Sequence, residues 1–127
     1  MKKSIPFVFW TLVIFTLCSM PGKSIPKVNW LEFVSFDKFV HASMFFVEEL
    51  FLIRVLINFP ENSFWHKNYK SVSTLFCIIY GGSLEIMQYT IFLERSGDVL
   101  DFIANSTGVI TGLFLYKPLA KKINWLN

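Results

Sequence analysis

Hydrophobic residues are gathered along the chain in four long blocks, separated by shorter polar segments. The blocks cover residues 5–20, 39–59, 71–93 and 99–116. A helix rises about 1.5 Å per residue, so the 21 residues of the second block would extend about 31 Å, close to the thickness of a bilayer's hydrocarbon core. The pattern therefore predicts four transmembrane helices, at approximately residues 4–20, 39–59, 71–93 and 98–117.

The polar segments between the blocks are typical of helix breaks. Pro21 and Gly22 follow the first block, and they remove a backbone donor and add backbone freedom. The connection at residues 94–97 is so short that the third and fourth helices must be antiparallel neighbours. We therefore expect an all-α membrane protein, an antiparallel bundle of four transmembrane helices that forms a single domain over residues 1–127.

Composition supports a membrane protein over a soluble one. Hydrophobic residues make up 54% of the chain, and charged residues only 17%, against about 25% in a typical soluble domain. A soluble four-helix bundle is the alternative, and its helices would need polar outer faces. Runs such as residues 113–116, Leu-Phe-Leu-Tyr, do not provide such faces.

The first block also resembles a secretory signal, because Lys2 and Lys3 precede a short apolar run. A small-x-small cleavage site does not follow it, since the sequence continues Leu-Cys-Ser-Met-Pro at residues 17–21. We therefore expect a retained first helix. The two cysteines, Cys18 and Cys77, lack metal-ligand spacing and are expected to be small buried hydrophobes.

The distribution of Lys and Arg predicts the orientation, because cytoplasmic connections carry an excess of them. If the N-terminus lies inside, the cytoplasmic segments contain Lys2, Lys3, Lys67, Lys70, Lys117, Lys121 and Lys122. The outer segments contain only Lys23, Lys27, Lys38 and Arg95. We therefore expect a cytoplasmic (inner) membrane protein with both termini in the cytoplasm. Because the lysines are scattered rather than clustered, no nucleic-acid partner is expected.

Ionisable and amide side chains lie inside or beside the apolar blocks. A charge near the bilayer centre costs at least about 2.5–3.5 kcal/mol, so such residues usually face a partner or a cavity. In an up-and-down bundle, the polar residues near three of the helix ends fall on the same side of the membrane, which the lysine count makes the outer side. These predicted ligand-binding residues are Lys38, His41, Glu85, Gln88, Arg95, Asp98, Asp101 and Asn105.

Helical spacing sharpens this prediction on the fourth helix. Asp98, Asp101 and Asn105 share one face with Gly108 and Gly112, because the steps between them are three or four residues. Small residues at this spacing let a neighbouring helix approach closely in lipid, so the two glycines are predicted helix-packing positions.

Three further charged residues, Glu48, Glu49 and Arg54, lie deeper in the second block. Glu48 is expected at a depth similar to that of Glu85. Two carboxyl groups at one depth in low dielectric would share a proton, bind a cation or pair with a basic residue. Arg54 is six residues from Glu48, a poor spacing for a pair on one helix, so we expect its side chain to snorkel toward the cytoplasmic end.

Three ordered segments of the chain carry a family signature. They are Asp-Lys-x-x-His at residues 37–41, the pair Glu85 and Gln88, and Arg-x-x-Asp-x-x-Asp-x-x-x-Asn-x-x-Gly-x-x-x-Gly from Arg95 to Gly112. Over residues 5 to 119, the chain thereby resembles the VanZ-like family of small membrane proteins. It departs from the family in Ala42, where Phe often follows the His, and in Glu48 and Glu49, which are outside the pattern. The resemblance implies a multi-pass membrane protein without a settled activity and, for the namesake, reduced susceptibility to teicoplanin.

Three functions remain open. In the first, an extracytoplasmic polar pocket binds an envelope lipid-linked, peptide or glycopeptide headgroup, or a membrane partner, without catalysis. In the second, an outer-leaflet enzyme uses candidate catalytic residues and a divalent metal to act on a lipid-linked envelope substrate. These candidates are His41, Glu85, Asp98 and Asp101. In the third, a small proton- or ion-coupled transporter uses Glu48 and Glu85. Sequence alone leaves both catalysis and the metal undetermined.

Overall fold

The computed structural model describes residues 3–20, 34–92 and 98–126, and most of these residues are helical. The helices are α1 (Ile5–Ser19), α2 (Val34–Leu56), α3 (Phe64–Lys67), α4 (Tyr69–Thr90) and α5 (Val99–Lys122), followed by a 3₁₀ turn (Asn124–Leu126). Strands are absent from these described ranges. The all-α prediction is therefore confirmed.

The four long helices alternate in direction. Lys38 near the start of α2 contacts Asp98 and Asp101 at the start of α5, so these two helices run the same way. Glu85 near the end of α4 also contacts Asp98, so α4 runs opposite to α5. Gln88 of α4 reaches Cys18 at the end of α1, which places α1 alongside α4 in the same direction.

The interior is built mainly where α2 and α5 pack along each other, with α4 against both and α1 against α2 and α4. Apolar side chains from these helices form one larger cluster, and a smaller cluster fills the end where α5 meets the final turn. The larger cluster comprises Ile14, Cys18, Met44, Phe45, Leu52, Leu56, Cys77, Leu84 and Val109. Both cysteines are thus buried within the apolar core.

The helix that contains the second apolar block begins at Val34, five residues before that block. Its first turn includes Asp37, whose negative charge is favourable at a helix N-terminus. A hydropathy pattern locates the apolar stretch of a helix but does not reveal a polar turn that precedes it. Asp37 and Lys38, which the sequence places at the start of the second helix, therefore lie within its first turns.

The last long helix continues past Pro118 to Lys122, beyond the limit of 117 predicted from sequence. Proline removes one backbone donor, and neighbouring groups in a packed helix can compensate for that loss. Lys121 and Lys122 lie in the last turn, where positive charge is favourable. Tyr116 then donates a hydrogen bond of 2.6 Å to the carbonyl of Leu126, which holds the 3₁₀ turn against α5.

Within the described ranges, α5 is the one helix long and apolar enough to cross a membrane. Helix α1 is apolar but has only 15 residues, about 22 Å of helix. Helix α2 has sufficient length, with 23 residues, but carries Asp37, Lys38, Glu48, Glu49 and Arg54. The structure therefore shows an all-helical protein with one clear candidate span.

Candidate functional site

Polar side chains from three helices meet at one end of the bundle, and we call this group the polar cluster. Its members are Asp37, Lys38 and His41 of α2, Glu85 of α4, and Asp98, Asp101 and Asn105 at the start of α5. Six of these seven residues belong to the set predicted from sequence. Their convergence follows from the alternating helix directions, which bring the start of α2, the end of α4 and the start of α5 together.

Lys38 is held by two carboxylates of α5. Its ammonium group lies 2.8 Å from Asp101 Oδ1 and 3.1 Å from Asp98 Oδ2. The ammonium is thus an internal counter-ion for α5, which restricts its use in binding an external anion.

Asp98 has a second role as the N-cap of α5. Its Oδ1 accepts a 2.8 Å hydrogen bond from the backbone N–H of Leu100, which satisfies one of the free amides in the first turn. This backbone hydrogen bond, followed by the hydrogen bond from Lys38, lowers the pKa of Asp98 below its ordinary value. Asp98 is therefore ionised, and its charge lies at the N-terminal end of the helix dipole.

Beneath these residues, His41, Glu85 and Asn105 form a buried network. The His41 Nδ1 atom lies 3.1 Å from Asn105 Oδ1, and the Asn105 amide nitrogen donates to Glu85 Oε1 at 3.5 Å. Glu85 Oε2 also accepts from the backbone N–H of Asp98 at 3.2 Å. Since the Asn105 oxygen can only accept, this contact is a hydrogen bond when His41 carries its proton on Nδ1, and in that neutral tautomer Nε2 presents its lone pair.

That lone pair points toward a place where a cation can bind. His41 Nε2 lies 3.9 Å from Asp37 Oδ1, and one ligand atom each from Asp37, His41 and Asp101 lie within 4.8 Å of one another. Ligands around one zinc or manganese ion are closer together, at about 3.4 Å, because each lies about 2.1 Å from the metal. The present separation is therefore too wide for one metal ion. Binding of an ion would require the carboxylates to move inward and Asp101 to contact both the ion and Lys38.

The charge of the cluster is acidic. The described part of the chain places four carboxyl groups here, against the Lys38 ammonium and one imidazole. Two of the carboxylates are accessible, because the side chain of Asp37 is 67% exposed and that of Asp98 is 43% exposed. An incoming group would meet these two first and would reach His41 and Asp101 beneath them.

Some predicted site residues lie elsewhere. Gln88 is buried and its amide donates to the carbonyl of Cys18 at 3.1 Å, so in the structure it ties α4 to α1. Arg95 lies outside the described residues. Asp37, absent from the predicted ligand-binding set, joins the cluster because it is four residues before His41, one turn back on the same helix face.

The two packing glycines bring α5 against α2. A Cβ atom on Gly108 would lie 2.0 Å from the backbone oxygen of Ala42, and one on Gly112 would lie 3.0 Å from the backbone oxygen of Phe46. Gly108 has no room for a side chain, and at Gly112 a Cβ would fit only if its neighbours shifted by a few tenths of an ångström. The small-residue face is therefore used inside the chain, and it fixes the spacing of the two helices that supply most of the cluster.

The deeper charged residues form separate contacts. Glu48 Oε1 lies 2.7 Å from the Thr11 hydroxyl oxygen, and Glu49 Oε1 lies 2.7 Å from that of Ser73, so the expected partnership of Glu48 with Glu85 is replaced by other partners. The Arg54 guanidinium lies over the Trp125 ring, 4.2 Å from its centre. Arg54 is buried there, and its guanidinium reaches the end of the bundle where Lys3 and the final 3₁₀ turn lie, the end toward which the sequence predicted that it would extend.

A cavity of about 310 Å³ lies at the opposite end of the bundle, not at the polar cluster. It is lined by Tyr69, Lys70, Leu113, Phe114, Tyr116 and Lys117. At the cluster, hydrogen bonds engage the buried side chains of His41, Glu85 and Asn105, whereas the Asp37 and Asp98 carboxylates are accessible.

Comparison with known proteins gives one positive result. A family model described as VanZ/LLP1 matches residues 4–121, which include every member of the polar cluster. Searches of curated proteins and of solved structures returned no match.

Proposed function

The chain belongs to the VanZ/LLP1 family, and from this premise we propose that it is a multi-pass membrane protein whose polar cluster binds a cationic envelope headgroup. The ligand would be a lipid-linked precursor, a peptide or a glycopeptide that presents a protonated amine. One observation carries the proposal, namely that acidic groups outnumber basic ones in the described cluster and that its lysine is already paired.

The membrane part of the proposal rests on the surfaces of the long helices. Large apolar side chains are exposed on all four, with examples in Phe9, Phe39, Ile86 and Phe114. The charged residues in the middle and later part of α2, namely Glu48, Glu49 and Arg54, are buried. Apolar patches of this extent are typical of lipid contact. We infer that α1, α2, α4 and α5 cross the cytoplasmic membrane, with both termini in the cytoplasm and the polar cluster at the outer face.

A cationic ligand fits the cluster better than an anionic one. An anion would have to compete with Asp98 and Asp101 for the Lys38 ammonium, and it would also face Asp37 and Glu85. An amine would gain charge-assisted hydrogen bonds from accessible carboxylates. The lone pair of His41 Nε2 adds a further acceptor.

Binding to a matched pair of ligands tests this function. The full-length protein in nanodiscs is titrated with a lysine-bearing peptide of the peptidoglycan stem, and with the same peptide acetylated on the lysine amine. We expect calorimetric binding of the free amine only, and a loss of about tenfold or more in affinity for Asp101→Asn, because a charge-assisted bond is removed.

Two controls accompany this titration. Asp98→Asn removes a charge but keeps an N-cap residue of equal quality, so it separates ligand binding from helix capping. Glu61→Gln changes an exposed carboxylate in the turn before α3, at the other end of the bundle. Equal binding of the acetylated peptide, or equal affinity in Asp101→Asn, would show that the cluster does not recognise an amine.

The grouping of Asp37, His41 and Asp101 favours a second candidate, an outer-leaflet enzyme that uses a divalent metal on a lipid-linked substrate. Nitrogen and carboxylate ligands together suit zinc, manganese or iron. Metal analysis of the purified protein, with His41→Ala and Asp101→Asn as comparisons, tests it. Absence of stoichiometric metal after loading, together with unchanged turnover in the variants, would exclude this candidate.

A further inference from the structure

Two carboxyl groups lie deep in the bundle, apart from the polar cluster and outside the family signature. Glu48 and Glu49 are consecutive residues of α2, and both are 0% exposed. One oxygen of each, Oε2, is buried without a hydrogen-bond partner among the described residues. Burying an ionised carboxylate without a partner costs a large amount of free energy. Each of these groups must therefore either pair with a counter-ion or be neutralised by a proton.

Hydrogen counting around Glu48 decides between these alternatives. The Thr11 hydroxyl oxygen lies 2.7 Å from Glu48 Oε1 and 2.9 Å from the backbone oxygen of Phe7. A hydroxyl has one hydrogen and can donate to only one of these two acceptors. Both short contacts become hydrogen bonds if Glu48 carries a proton on Oε1 and donates to Thr11, which then donates to Phe7.

The same arrangement occurs at Glu49. The Ser73 hydroxyl oxygen lies 2.7 Å from Glu49 Oε1 and 3.2 Å from the backbone oxygen of Lys70. Again one hydrogen serves two acceptors, and a proton on Glu49 satisfies both contacts. Thr74 adds a donor to the same Oε1 at 3.1 Å. The separation of 2.7 Å at both glutamates is typical of an O–H donor and an oxygen acceptor.

Among the residues that the structure describes, no basic side chain forms an ion pair with Glu48 or Glu49. Arg54, the nearest cationic residue along α2, contacts the Lys3 backbone oxygen and the Trp125 ring instead. The titratable groups that face the pair from α4 are Cys77 and Tyr80, whose charged forms are anionic, while α1 presents Thr11. On α5, Gly112 packs against Glu49 and carries no charge.

A metal ion fits less well than two separate protons. Consecutive residues on a helix project about 100° apart, and here one carboxyl reaches α1 while the other reaches α4. In the part of the chain that the structure describes, the grouping with metal-ligand spacing is in the polar cluster and includes neither glutamate. The two groups therefore do not converge on one ion.

We propose that Glu48 and Glu49 form an internal proton-binding site. Each carboxyl group holds one proton and through it donates a hydrogen bond to a hydroxyl of a neighbouring helix. This site is distinct from the polar cluster and does not depend on the function proposed for it. Release of either proton to water leaves a carboxylate without a cation between α1, α2 and α4, so these helices separate more easily.

Infrared spectroscopy of the full-length protein in nanodiscs tests the site directly. A buried carboxylic acid has a C=O stretching absorption distinct from that of a carboxylate, and this absorption shifts in heavy water. We expect such an absorption at neutral pH, with intensity lost in Glu48→Gln and in Glu49→Gln. Glu61→Gln removes an exposed carboxyl group, and Asp98→Asn removes one from the polar cluster. Both variants should leave the carboxylic acid absorption unchanged.

Thermal unfolding from about pH 4, near the ordinary glutamate pKa, to alkaline pH provides a second readout. The wild type should lose stability as the pH rises through this range, because the unfolded chain releases these two protons at lower pH than the folded chain does, and both glutamine variants should lose less. The proposal is overturned if the wild type shows no carboxylic acid absorption, or if both variants retain its full intensity. Stabilisation by sodium over choline at equal ionic strength, abolished in the variants, would also overturn it in favour of a metal ion.

Discussion

Lys38 controls how much negative charge the polar cluster offers to a ligand. Its ammonium lies within 3.1 Å of one oxygen on each of two carboxylates. Replacing it with glutamine in Lys38→Gln frees Asp98 and Asp101, so we expect a few-fold tighter binding of the free-amine peptide, measured by calorimetry in nanodiscs.

Lys67→Gln is the matched control for this change, since it removes an exposed lysine from α3 at the opposite end of the bundle. It should leave the affinity unaltered. Weaker binding of the amine in Lys38→Gln would mean that Lys38 contacts the ligand itself, which points to an anionic group instead.

The ionisation of Asp98 predicts a dependence of stability on acid pH. The Leu100 N–H and the Lys38 ammonium lower the pKa of Asp98 from its ordinary value of 3.8. A carboxyl whose pKa is lower in the folded protein stabilises it fully above the unfolded value, and this contribution is lost as the pH falls through the folded value.

Asp98→Asn cannot titrate, and its amide side chain can still cap α5. We therefore expect a smaller fall in melting temperature than in the wild type between pH 6 and roughly pH 3, a range that spans the ordinary carboxyl pKa. An identical fall in both proteins would contradict the assigned role of Asp98.

The members of the cluster were predictable where local spacing governs the side chain's direction. Asp98, Asp101 and Asn105 repeat every three or four residues, and the short connection before them requires the end of α4 to lie nearby. Gln88 shares a helix face with Glu85, yet it reaches α1 instead. Spacing on one helix determines a direction, whereas the partner depends on which neighbouring helix lies there.

At the level of helices, the contact between α2 and α5 depends on Gly108. An added Cβ would lie 2.0 Å from the Ala42 backbone oxygen, and a backbone atom cannot move aside without separating the helices. We expect Gly108→Ala to destabilise the protein by about 2 kcal/mol or more, as overpacking does, measured as a lower melting temperature.

Gly82→Ala provides the comparison for that variant. Its added Cβ would meet only the edge of the Phe102 ring, at 3.3 Å, and a side chain can adjust. Since alanine also favours helix by about 1 kcal/mol over glycine, Gly82→Ala should melt at or above the wild-type temperature. Equal melting temperatures for Gly108→Ala and the wild type would show that close approach at Gly108 is dispensable.

The limits of the helices were harder to predict than their existence. Apolar blocks reveal where helices exist, but α2 starts in a polar turn at Val34 and α5 continues through Pro118. In both cases the additional residues are held by contacts with other parts of the chain. Tyr116, for instance, anchors the final turn through Leu126, and no local pattern in the sequence indicates that contact.

For the whole molecule, four spans with both termini inside predict which connections are accessible from outside the cell. Asn62→Cys, in the turn between α2 and α3, should react with a membrane-impermeant thiol reagent only after the membrane is opened. Ser24→Cys, between the first two long helices, should react in intact cells. The native cysteines are buried and contribute little background. Labelling of Asn62→Cys in intact cells would reverse the proposed orientation.

The alternating directions of the long helices were predictable because successive spans of an up-and-down bundle must alternate, whereas the hydrogen-bond partners within the cluster were not. Whether polar side chains enclose a space or close it depends on rotamers and hydrogen bonds that hydropathy does not encode. In this chain, the Asn105 amide and the Asp98 backbone N–H both donate hydrogen bonds to the Glu85 carboxyl group.

A high-resolution experimental structure of the full-length protein in nanodiscs, saturated with the lysine-bearing peptide, tests the central claim most directly. We predict density for the peptide's amine between the Asp37, Asp98 and Asp101 carboxylates, with His41 Nε2 turned toward it. Density for the peptide at another place, with Lys38 still bridging Asp98 and Asp101, would contradict the assignment of the polar cluster as a cation-binding site.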